Sequence, residues 1–133
     1  MSEAGRARRK RAQGAKADKL EAAMASLDPQ LSEWADGFIF GEVWGRDGLS
    51  FEERMLVAIS QLAATNRPAQ LKNYLFGAIE AGIPARKIHE SLVMLTVYTG
   101  FPNALGALTL WEEVCASLRR RGVDLGDVPA GKG

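Results

Sequence analysis

The sequence predicts an all-α protein of about six helices, and three observations carry that prediction. Pro68, Pro84 and Pro102 each open an apolar-periodic run, and Gly82, Gly100 and Gly122 each stand just past the end of one. Proline is tolerated at a helix start because its missing N–H has no intrahelical partner there, and glycine supplies the left-handed residue after the last turn. No segment alternates apolar and polar residues long enough to make a convincing strand.

The elements follow in order. A short helix is expected around "KADKLEAAMASL". Next, "LSEWADGFIFGEVW" places Leu31, Trp34, Phe38 and Glu42 at helical spacing. Ser50 and Glu53 form an S-x-x-E capping box before "MLVAISQLAAT". The three proline-opened runs complete the set: "PAQLKNYLFGAIEAG", "PARKIHESLVMLTVYTG" and "PNALGALTLWEEVCASLRRRG". "LVMLTV" alone reads as a buried strand, but Pro84 and Gly100 lie sixteen residues apart, which favours a buried helix. That helix is apolar nearly all round from Leu92 to Tyr98, as at a core or a subunit interface.

Composition bounds the rest. With 133 residues, 47% hydrophobic and 25% charged, the chain suits one domain. It divides into a basic flexible arm over 1–17, a helical domain over 18–124 and an irregular tail over 125–133. No apolar run reaches a membrane span, and no apolar h-region follows the basic start, so a cytoplasmic location is expected. A lone Cys115 excludes an internal disulfide, and a single His89 beside it excludes a Cys/His zinc site. Residues 1–19 carry seven basic and two acidic side chains, against ten and fourteen in the remainder. The head lacks bulky apolar residues and reads as a solvated tail. A nucleic-acid arm is the less favoured alternative, because the body shows no stripe of aromatic and basic residues.

Site candidates cluster in "FIFGEVWGRDGLSFEERMLV". Glu42 on an apolar helix needs a partner, and Arg46 four residues on would supply one. Arg46 suits carboxylate binding, since a guanidinium fork grips carboxylate bidentately. Trp44 is a possible pocket wall, and Arg54 follows the capping box. Asn103, at a helix start, and Tyr98 flank the turn "YTGFPN". His89 sits among charged neighbours and is read as part of a solvated helix face.

"FGEVWGRDGL", "ERMLV", "GAIEAGIPARKIHESL" and "VYTGFPNAL" together resemble the carboxymuconolactone decarboxylase family over Phe38 to Val114. The resemblance implies an alkylhydroperoxidase-like helical bundle acting as a homo-oligomer, a trimer or hexamer. It also implies decarboxylation of a small carboxylated lactone in aromatic catabolism, with no metal and no organic cofactor. The Cys-x-x-Cys pair of the related thiol peroxidases is absent from "NRPAQLKNYLFGA", which excludes that chemistry. Tyr74 stands where the decarboxylases usually carry a His, and Met94 where a Gln is often seen.

The expectation is a cofactor-independent carboxy-lyase acting on a small carboxylated lactone or β-keto acid. Tyr74, Arg46 and Glu42 are its catalytic candidates, and Arg54, Trp44, Tyr98 and Asn103 its substrate-binding candidates. Two alternatives share the pocket: a non-catalytic oligomeric binder of small anions, and an isomerase.

Overall fold

The computed structural model describes residues 2–132. Among them every regular element is helical. In chain order these are α1 (Ser2–Gln13), a 3-10 turn Gly14–Lys16, α2 (Ala17–Leu27), α3 (Pro29–Trp34), a π-helix Ala35–Val43, α4 (Phe51–Ala64), α5 (Pro68–Glu80), α6 (Ala85–Val93), α7 (Leu95–Tyr98) and α8 (Phe101–Arg120). Each of the six expected segments holds a helix, and α1 is additional. No helix among the described residues is long and apolar enough to cross a membrane.

The core gathers where α4, α5, α6 and α8 meet. Met55, Ile59, Leu75, Ile88, Leu92 and Trp111 are fully buried there. The predicted caps are in place. The Ser50 hydroxyl accepts from Glu53 N–H at 3.1 Å, and Glu53 accepts from Ser50 N–H at 2.8 Å. These bonds hold the Glu53 carboxyl below its usual pKa. Gly82, Gly100 and Gly122 all have positive φ, as their positions after helix ends require.

The first correction concerns the head. Residues 1–17 were expected to be a flexible arm, yet Ser2–Gln13 form α1, docked on the π-helix and α5. The composition misleads because the docking uses small residues and one charge. A Cβ at Gly5 would lie 1.7 Å from Asp36 O, and one at Gly77 would lie 1.9 Å from Ala12 O. Only glycine permits such approaches. Arg9 is 0% exposed. Its Nε donates to Asp36 at 2.6 Å, Nη1 to Gln13 at 3.0 Å and to Ala17 O at 3.1 Å, and Nη2 to Glu21 at 2.8 Å. A buried guanidinium is tolerated when its donors are met in this way.

Three further differences follow from packing. The whole of "ADGFIFGEV" is a π-helix, whose wider turn places Ala35, Asp36 and Phe40 on the buried side. The long run after Pro84 breaks at Met94 into α6 and α7, and Met94, Val97 and Tyr98 emerge on the surface. The tail is irregular as expected but anchored, with Leu125, Val128 and Ala130 buried and the Arg119 guanidinium donating to Val128 O and Ala130 O.

Removing one partner of a buried ion pair leaves the other uncompensated and costs about 3–5 kcal/mol. Arg9→Met is therefore expected to lower stability by about that amount in urea unfolding. Arg9→Met combined with Asp36→Leu is expected to recover part of the loss.

Candidate functional site

The site begins with the end of the π-helix. Trp44 N–H donates to Ile39 O at 2.9 Å, closing the last wide turn. The Trp44 ring lies 4.9 Å from the Phe40 centroid and 5.8 Å from that of Phe51. Gly45 packs tightly below it, since a Cβ there would meet Gly41 O at 2.4 Å.

Onto this aromatic platform α1 lays two arginines. Arg8 Nη1 donates to Phe40 O at 3.0 Å and Gly41 O at 3.3 Å, capping carbonyls that the π-helix leaves free. The Arg11 guanidinium stands 3.9 Å over the Phe51 ring, within cation–π range. Together with Arg46 and Trp44 they line an open pocket of about 360 Å³. No carboxylate is part of its wall. Arg8, Arg11 and Arg46 join no ion pair among the described residues. Three guanidiniums outside any ion pair, beside two aromatic rings, are chemically suited to a small, flat anion.

Trp44 has a second face. There Val43, Leu49, Val57 and Ala58 line a largely apolar groove of about 260 Å³ that Arg54 borders. Arg54 Nη2 donates to Arg46 O at 2.9 Å, tying the Trp44–Ser50 loop to α4. Its Nε is buried with no partner.

The structure thus brings Trp44, Arg46 and Arg54 to one place. It does not bring the other candidates there. Glu42 is exposed and forms no ion pair with Arg46 among the described residues, because the π-helix replaces the α-helical spacing that would join them. Tyr74 lies beneath α1 beside Arg9 and Gln13 and outside the arginine pocket's lining. Burial raises its pKa, with Gln13 and the Arg9 charge acting against that shift, so its hydroxyl stays protonated near neutral pH. Tyr98 is exposed. Asn103 braces the fold, donating to Ala63 O and Thr99 Oγ1 at 3.0 Å each.

His89 also departs from expectation. It is half-buried and accepts from Trp111 Nε1 at Nδ1, at 3.1 Å, satisfying a fully buried indole. Arg8 and Arg11 were missed as site residues because they sit in the run read as solvated. Their signal was the unbalanced charge of that run. Among the described residues, no three His, Cys, Asp or Glu side chains gather as a metal site would require.

Residues 29–113 match the family described as Carboxymuconolactone decarboxylase family. The chain is 33% identical over 81 residues to the 4-carboxymuconolactone decarboxylase of Acinetobacter baylyi, covering 61% of this chain and 60% of that protein. It is 26% identical over 92 residues to the nitrosuccinic acid decarboxylase npaB of Metarhizium robertsii, covering 69% and 62%. An uncharacterized 15.0 kDa protein of Paracoccus denitrificans is 28% identical over 96 residues, covering 71% and 72%. The chain spans about three fifths of the length of the two named decarboxylases.

Cys115 is fully buried, and desolvation pushes its thiol pKa up to about 11. The thiolate is the reactive form. Titration of the native protein with a thiol reagent at pH 8 is therefore expected to show no fast-reacting cysteine, and unfolding in urea is expected to expose one.

Proposed function

The chain belongs to the carboxymuconolactone decarboxylase family, and from that premise we propose that it is a cofactor-independent carboxy-lyase for a small carboxylated lactone or β-keto acid. One observation supports this reading above the rest: Arg8, Arg11 and Arg46 converge beside Trp44 and Phe51 in a pocket with no carboxylate in its wall.

The chemistry needs an anion grip and an electron sink. The bond between the α-carbon and its carboxylate breaks, and CO₂ leaves. The electron pair passes into the conjugated carbonyl, whose oxygen becomes an enolate. A guanidinium aimed at that oxygen stabilises the charge as it develops. The other two guanidiniums hold a second carboxylate where the substrate carries one, and the aromatic rings orient its flat frame. A proton then returns to carbon. Tyr74 stands outside this pocket, so water at the open mouth is the donor in this reading. Glu42 has no assigned part in it.

Arg8 and Arg11 precede the segment that matches the family. We also place the active form in a homo-oligomer, a trimer or hexamer. Met94, Val97, Tyr98, Phe101 and Leu105 leave much apolar surface exposed around α7 and the start of α8, more than isolated apolar residues account for. The basic head turns Arg8 and Arg9 into the fold and lays the exposed Arg11 over Phe51, which argues against a nucleic-acid arm.

The test is CO₂ release and ultraviolet change with 4-carboxymuconolactone and related carboxylated lactones and β-keto acids. A charge-assisted contact is worth about 1.5–3 kcal/mol, so Arg46→Ala is expected to lower kcat/KM by about 10- to 150-fold on the substrate turned over. Tyr74→Phe is expected to stay within a few-fold of the parent in kcat. Folded arginine variants with unchanged kcat/KM would sink the pocket assignment. A large kcat loss in Tyr74→Phe would make Tyr74, rather than water, the proton donor.

A further inference from the structure

Just past the C-terminal end of α1 lies a second cleft, of about 430 Å³, between the 3-10 turn, α5 and the C-terminal end of α8. Lys16, Lys72, Arg120 and Arg121 converge on it, with Glu80 and Glu113 in the same wall. None of these six charged side chains is in an ion pair among the described residues. Glu80 accepts instead from Ala15 N–H at 2.7 Å, which ties down the turn carrying Lys16. Lys16 and Arg121 stand 5.6 Å and 5.4 Å from the Phe76 ring centroid, so both are held in the cleft by cation–π contact.

Four cations facing two carboxylates leave an excess of two positive charges in one concave wall. Like charges brought together in this way repel, and no ion pair among the described residues neutralises the excess. The α8 C-terminus favours nearby arginines through its macrodipole, which accounts for Arg120 but not for Lys72 on α5. We propose that this cleft is a second anion site, distinct from the arginine pocket, for a small phosphorylated compound bearing hydroxyl groups. A phosphomonoester dianion balances the excess charge. Glu80, Glu113 and the Ser117 hydroxyl supply acceptors for the ligand's hydroxyls.

Isothermal titration of the full chain with glycerol phosphate, with inorganic phosphate and with citrate tests the proposal. Glycerol phosphate is expected to bind more tightly than inorganic phosphate, with an affinity that falls as salt rises. Lys72→Gln with Arg120→Gln is expected to weaken glycerol phosphate by at least about tenfold, because each variant removes a charge-assisted contact. Arg46→Ala, in the other pocket, is expected to leave it unchanged. Both Lys72 and Arg120 are exposed, so these variants are expected to fold, as circular dichroism would check. The proposal is overturned by absence of binding at millimolar ligand, by binding that survives the double variant, or by loss of binding in Arg46→Ala. Tighter citrate than glycerol phosphate would overturn the phosphate assignment.

Discussion

The buried guanidinium of Arg9 is the constraint on which the architecture turns. Four of its five N–H groups have protein acceptors, drawn from α1 itself, α2 and the π-helix. Taking such a group out of water is costly, and it is stable only in the one arrangement that meets those donors. That arrangement fixes how far along the π-helix α1 sits and which way it is rotated. Gly5 and Gly77 then allow the backbones to meet. With Arg9 locked inward, Arg8 and Arg11 are turned toward Trp44 and Phe51, and Gln13 and Lys16 toward the second cleft. One ion-pair cluster thus positions two charged surfaces.

The π-helix is the other half of that device. Its i→i+5 bonding leaves carbonyls poorly used at its end, and the Arg8 guanidinium takes up Phe40 O and Gly41 O. Arg8 is thereby held rigid while its remaining N–H groups stay available. Arg11 is held by a different force, the face of Phe51. Neither arginine needs a carboxylate to stay in place, so their charge remains free for a ligand. In the proposed reaction, preorganised charge of this kind would stabilise a developing enolate without reorganisation at the moment of reaction.

Much of the fold was legible in the sequence because its signals are local. Pro68, Gly82, Gly100 and Gly122, and the Ser50–Glu53 box, each report a backbone requirement within a few residues. Trp44 and Arg46 were legible as a wall for the same reason, being neighbours on one short loop. The failures are non-local. Nothing near Arg9 in sequence announces Asp36, twenty-seven residues away, so a run of arginines among alanines and glycines read as solvated. Small residues were taken as incapable of burial, though Ala12 and Gly5 bury by letting backbones touch. The expected Glu42–Arg46 pair assumed α-helical spacing where the chain takes the wider turn. His89 looked solvated because its buried partner, Trp111, lies on another helix.

The charge asymmetry of the chain acquires a structural meaning from these contacts. The acidic body does offer partners to the basic head, but it places them selectively. Asp36 and Glu21 meet Arg9, Glu21 also meets the exposed Arg6, Asp18 meets Lys10, and Arg8, Arg11 and Arg46 join no ion pair among the described residues. Here the innermost arginine is paired and those at the aromatic platform are not. Low-dielectric walls strengthen the field of such unpaired charges, and the Trp44 and Phe51 rings form those walls. The arginine excess at the start of the sequence is therefore a local potential, held where α1, the Trp44–Arg46 turn and Phe51 leave a pocket open.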